Sequence, residues 1–203
     1  MPMIRRMLGM LCLLSAAVLP SHAADRASEL LAGLAARFRA MKSYEAEFAV
    51  TADDHRVTGR YVVAGDRYYI AVGDAEVYAD AALRREIDNV RREITLVGID
   101  AEDRSILANP ARAFDLLDDD YRATLLCEEG GTAVVRLEPR AGKSTPTGAV
   151  TVTLDVASGL PRSIAYDYDG AVLTVEVVRI EPGAGLPLFE ADRYAGYETI
   201  DFR

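Results

Sequence analysis

A change of hydrophobic period at residues 41–44 constrains this chain more than any other feature. Before it, Leu30, Leu31, Leu34, Phe38 and Met41 recur at helical spacing; after it, apolar and polar side chains alternate in one short segment after another. The stripe predicts an amphipathic helix over 25–42, with Asp25 and Glu29 near its start and Arg39 and Lys42 at its end, as the helix dipole favours. The alternating segments 44–50, 55–64, 66–72, 76–80, 83–87, 92–98, 121–129, 132–139, 148–156, 161–168 and 171–180 read as strands. Their connections are short and polar, with turns at Gly130-Gly131, Ser158-Gly159 and Asp169-Gly170, so neighbouring strands pair antiparallel. "NPARAFDLLDDDY" (109–121) interrupts the series. Asn109 can cap, Pro110 suits a first turn, and Phe114 and Leu117 share a face, so a short helix is expected there.

About ten short strands with two or three helices at separate places imply an α+β domain built on a mostly antiparallel sheet. A sheet of that width tends to curl, and helix 25–42 can lie inside the curl, giving an open half-barrel covered by helices. Strand parity puts Tyr44, Ala46, Phe48 and Val50 on one face, together with Val57, Gly59, Tyr61 and Val63 and with Tyr68, Ile70 and Val72. With Leu34, Phe38, Met41, Phe114 and Leu117 from the helices, this set either forms a packed core or lines an apolar space. Composition leaves both readings open.

The first residues have the pattern of an export signal: Arg5 and Arg6, the apolar stretch "MLGMLCLLSAAVL" and the small-residue site "SHA" at 21–23. Cleavage after Ala23 is expected, leaving residues 24–203 as one exported domain. With 32 acidic against 23 basic residues, the chain has a formal net charge of −9, and loss of Arg5 and Arg6 makes it more negative. A nucleic-acid partner is thereby disfavoured. Processing leaves Cys127 as the one cysteine, so no intrachain disulfide can form; in "ATLLCEEG" it reads as a small buried hydrophobe on a strand.

Catalytic chemistry finds little to use. "AGKSTP" (141–146) imitates a phosphate loop but has Leu137 where a glycine is required and a proline and strand where a helix should follow. His55 is the one histidine after residue 23 and reads as a solvated residue between strands, which leaves no zinc pair and no well-placed triad base. "DAED" and "DDD" lack the alternate spacing of a calcium cage. The residues point to no catalytic group, no metal and no cofactor.

With that organisation in hand, the chain resembles the LolA-like family, periplasmic carriers that move lipoproteins from the inner toward the outer membrane. The resemblance rests on "MKSYEAEF" leading into the first strand, a G-x-Y turn at Gly59 to Tyr61, "NPARAFDLL", the hairpin "VTLDVASGLPRSIAYDYDG" and the ending "LFEADRYAGYETIDFR". In that ending Phe189, Tyr194, Gly196, Glu198, Ile200, Asp201 and Arg203 match a family tail. The resemblance implies an antiparallel half-barrel whose apolar cavity takes acyl chains, with acylated lipoproteins or other lipids as cargo and an inner-membrane lipoprotein-release complex as partner of a monomeric carrier. A lipid-binding sensor or adaptor on the same fold is the alternative. It further implies that Arg67, in "AGDRYY", contacts a helical lid at 110–117; the family's proline beside that arginine is absent here.

Overall fold

The computed structural model describes residues 20–52, 55–80, 82–99, 120–143, 145, 148–168 and 171–203. Helix α1 runs over Pro20–Ala40 and is followed by strands β1 (Tyr44–Ala52), β2 (His55–Ala64), β3 (Arg67–Val72), β4 (Ala75–Ala79), β5 (Leu83–Asp88) and β6 (Glu93–Gly98). Strands β7 (Tyr121–Glu129), β8 (Thr132–Pro139), β9 (Ala149–Asp155), β10 (Leu160–Tyr168) and β11 (Ala171–Pro182) come next, then a 3-10 turn at Ala191–Tyr194 and β12 (Glu198–Asp201). The expected strands therefore form with ends shifted by no more than two residues. β12 is an addition.

Helix α1 starts five residues before the expected point and stops two residues earlier. Pro20 suits a helix start, where its missing N–H is no loss. At the other end the Met41 N–H closes back on the Phe38 carbonyl at 3.0 Å, a tight final turn that releases the chain into β1. The buried stripe is Ala27, Leu31, Leu34, Ala35 and Phe38, at the spacing of one helical face.

The twelve strands of the described residues belong to one sheet, in the order β12-β6-β5-β4-β3-β2-β1-β11-β10-β9-β8-β7. Neighbours pair antiparallel except β12, which lies parallel to β6. The register carries the inward side chains in rows. Tyr44 stands opposite Val63, Val63 opposite Tyr68 and Tyr68 opposite Ala79; the next row joins Ala46, Tyr61, Ile70 and Val77. Parity read from the sequence thus gives the correct inner face, apart from Val57, which lies exposed near the start of β2.

Curvature follows from who meets whom. A flat sheet of twelve strands at about 4.8 Å spacing would be roughly 50 Å wide, whereas a helix with its side chains is about 10–12 Å across. Yet buried side chains from β1 to β4 and from β7 to β11 join the α1 stripe in one continuous apolar cluster. Only a sheet wrapped around the helix allows that, so the architecture is an open half-barrel with α1 in its concavity.

Two details differ from the sequence reading. Gly59 is not in a turn: it lies inside β2, opposite Phe48. A Cβ there would stand 2.6 Å from the Ala71 carbonyl oxygen and 2.9 Å from the Phe48 ring, so the position requires glycine for close approach. Cys127 lies on β7 as expected but is exposed, not buried. β7 is an edge strand whose register slips between Leu125 and Cys127, which ends the orderly alternation; Leu126 to Glu129 are all exposed.

The convex side has its own cover. Tyr69, Tyr78, Ile87, Ile94 and Tyr194 form a second apolar cluster, with Leu186, Phe189 and Tyr197 packed against it. The chain after β11 therefore crosses the outer face of β3–β6 before joining β6 as β12.

Candidate functional site

The concave interior gathers the residues expected to act together. Leu34, Phe38, Tyr44, Ala46, Phe48, Val50, Tyr61, Val63, Tyr68 and Ile70 all belong to its single buried cluster, with Met41 packed at the margin. Phe114 and Leu117, and the helix expected around them, lie outside the described residues. Aromatic edges organise the α1–β1–β2 corner: Phe38 meets Tyr44 at 4.9 Å between centroids, Tyr44 meets Tyr61 at 5.9 Å, and Phe48 meets Tyr61 at 5.5 Å. Burial raises the Tyr44 phenol well above the usual range, so it stays neutral.

Half of this interior escaped the sequence reading. Tyr121, Val135, Leu137, Val152, Leu154, Ile164, Tyr166 and Val175 complete the inner surface from the β7–β11 side. The signal was present in the alternation of "TAVVRLEP" and "AVTVTLD". What the sequence lacked was any indication that β11 pairs with β1, which brings the two halves of the chain around one helix.

No charged side chain is among the buried members of the inner cluster. Beyond β4 the inner face changes character, because the positions paired with Val77 and Ala79 are Glu86 and Arg84. Arg84 Nε contacts Glu86 Oε1 at 2.7 Å. The apolar lining therefore ends at a polar margin.

Helix α1 is fastened at its N-terminal part by Arg26, whose Nε and Nη2 donate to Glu128 on β7 at 2.9 and 2.8 Å. This fork is half exposed and hence a modest contributor, below about 1 kcal/mol. Arg67 opens β3, is exposed, and makes no ion pair among the described residues. It borders a groove of about 210 Å³ at the rim, lined also by Tyr68, Tyr78, Ala79, Asp80, Arg85 and residues 186–189. Its expected contact with helix 110–117 falls outside the described residues.

Among the described residues the one buried charged group is Glu76, on the convex side and 6% exposed. Tyr69 donates to Oε1 and Tyr194 to Oε2, each at 2.7 Å, Asn89 donates to Oε2 at 3.3 Å, and Arg193 reaches both oxygens at 3.0 and 3.1 Å. Burial alone would raise the Glu76 pKa, but these donors and the Arg193 charge outweigh it and hold the carboxyl below its ordinary value. Both carboxylate oxygens are held by protein donors, so the group clamps the C-terminal segment. Among the described residues no group of three His, Cys, Asp or Glu could hold a metal ion, and no helix is long and apolar enough to cross a membrane.

No family model and no curated protein matches the sequence. Solved structures do match in shape. An uncharacterized conserved protein from Thermus thermophilus aligns with TM-score 0.54 at 11% identity, covering 87% of this chain and 99% of that one. The MucA/MucB complex of Pseudomonas aeruginosa gives TM-score 0.51 at 18% identity over 84% of this chain. This chain spans 61% of the length of that one. These two likenesses show a shared fold. The matches also include a LolA superfamily protein from Nitrosomonas europaea, at 11% identity and TM-score 0.40 over 83% of this chain and 97% of that one.

Proposed function

We propose that this protein is an exported carrier that shelters the acyl chains of lipoproteins between α1 and the curled sheet and escorts them from the inner to the outer membrane. One observation carries the reading: among the described residues, the inward rows of nine strands and the stripe of helix α1 enclose one apolar interior, and the buried charged residue, Glu76, lies on the opposite face. Each acyl CH₂ taken into such an interior gains roughly 0.8 kcal/mol, so a handful of methylenes suffices for useful affinity without any catalytic group. Leu34, Phe38, Tyr44, Phe48, Tyr61 and Ile70 are the proposed contacts, and α1, joined to β1 by residues 41–43, is the element that must shift to admit cargo. Arg67 on the rim, beside the groove under residues 186–189, is the proposed lid contact. Passage from a release complex to an acceptor requires only that each holder bind the anchor more tightly than the last, by about 1 to 2 kcal/mol.

The test is to extract the protein purified from its exported fraction into organic solvent and identify bound lipid by mass spectrometry. Transfer of a labelled lipopeptide to acceptor vesicles is then followed. Bound diacyl or triacyl species that are handed over support the carrier. Lipid that binds but is never delivered favours the sensor or adaptor, and absence of lipid binding removes both.

A further inference from the structure

Tyr61 lies at 1% exposure in the middle of the inner cluster, and its hydroxyl has no hydrogen-bond partner among the described residues. Its cross-strand neighbours are Ala46 and Ile70, which offer no polar side-chain atom, and the Tyr44 and Phe48 rings flank it. Buried hydroxyls nearly always find a partner, and others here obey the rule. Tyr121 donates to the Gly148 carbonyl at 3.0 Å, Tyr69 and Tyr194 donate to Glu76, and Tyr78 pairs with Tyr194 at 2.9 Å. Phenylalanine would pack equally well at position 61 and would bring no orphaned polar atom. The phenol also remains protonated, since burial first, and then the Tyr44 and Tyr166 phenols, hold its pKa well above 10. It is a permanent donor set in an apolar interior.

We propose that the Tyr61 hydroxyl is the polar anchor of this interior, donating a hydrogen bond to the carbonyl oxygen of an acyl ester or amide, so that the chamber recognises acyl linkages and not bare hydrocarbon. The inference rests on the lipid-binding reading above and adds the linkage chemistry to it. A single neutral hydrogen bond formed inside an apolar site discriminates by about three- to tenfold in Kd.

The experiment uses residues 24–203 and three probes: a dipalmitoylglyceryl lipopeptide, its dialkyl ether analogue and an N-palmitoyl peptide. The wild-type protein is expected to bind the ester about three- to tenfold more tightly than the ether. Tyr61→Phe is expected to erase that difference while the ligand-free Tm holds or rises. Weakening of the N-palmitoyl peptide by the same substitution assigns the amide carbonyl as well; weakening of the diacylglyceryl probe alone assigns the ester. Equal wild-type affinity for ester and ether overturns the proposal without any variant, and so does a preference that survives in Tyr61→Phe. A fall in ligand-free Tm also overturns it, by showing that the hydroxyl is already served inside the protein. If the wild-type protein binds none of the three probes, the carrier reading fails and takes this inference with it.

Discussion

Tyr194 donates its hydroxyl to Glu76 Oε2 at 2.7 Å, joining residues 118 positions apart across the convex face of the sheet. The bond forms the centre of a clamp in which Phe189 stacks on Tyr194 at 5.4 Å and Arg193 bridges Glu76 and Tyr78. Through it the C-terminal segment is held against β3–β6, and β12 is brought to the sheet edge.

Glu76→Ala leaves the Tyr69 and Tyr194 phenols without their acceptor and should cost about 2 to 3 kcal/mol, read from urea unfolding. Glu76→Gln keeps the shape and one acceptor oxygen and should cost less. A loss under about 0.5 kcal/mol in the alanine variant would show that the clamp contributes nothing.

The same carboxylate predicts a pH dependence. Its folded pKa lies below the ordinary value, so the unfolded state takes up the proton first as pH falls. The contribution is whole above about pH 4.3 and is lost as pH falls from there through the depressed folded value. Wild-type stability should therefore fall more steeply than that of Glu76→Gln in the acid limb of a melting series. Parallel curves would contradict this.

Leu34→Ala removes a fully buried side chain from the meeting point of α1 and the sheet. A loss of about 2 to 5 kcal/mol is expected, as for other buried leucines. Little loss in chemical denaturation would mean that α1 is not seated in the concavity.

Gly59→Ala places a methyl group 2.6 Å from a backbone oxygen of β3, which cannot move aside as a side-chain tip can. A cost of about 1 to 3 kcal/mol is expected from overpacking. A neutral result in a thermal melt would show that β2 and β3 are further apart than this register requires.

Export should yield a chain beginning at Ala24, which intact mass will decide. Among the described side chains the buried α1 stripe starts at Ala27, so a start at Ala24 retains Ala27, Leu31, Leu34 and Phe38 together. A mass matching a start at Cys12 with added lipid would overturn the proposed exported carrier.

Arg67→Leu should leave stability within about 0.5 kcal/mol, as for an exposed residue with no ion pair among the described residues. Lipopeptide release should slow if the guanidinium favours the closed form. Release at the wild-type rate would make Arg67 an ordinary surface residue.

The sequence by itself determined the local elements and their inner faces. Period-2 alternation marks Tyr44, Ala46, Phe48 and Val50 because side chains in a strand alternate by geometry, whatever the strand pairs with. Gly130 and Gly131 stop β7 because both adopt positive φ, which a tight two-residue turn demands. Local preference also ends there. Which strand closes on β1 was decided by burial: pairing with β11 lets Val175, Ile164 and Val152 join the stripe of α1, and no neighbour in sequence announces that partner. The exposure of Cys127 depends on β7 becoming an edge, and the burial of Glu76 depends on a segment more than a hundred residues later folding over it. Tyr61 shows the same division. Its inward direction is legible from parity, but its hydroxyl stands without a partner among the described residues because Ala46, Ile70 and the rings of Tyr44 and Phe48 converge around it in three dimensions.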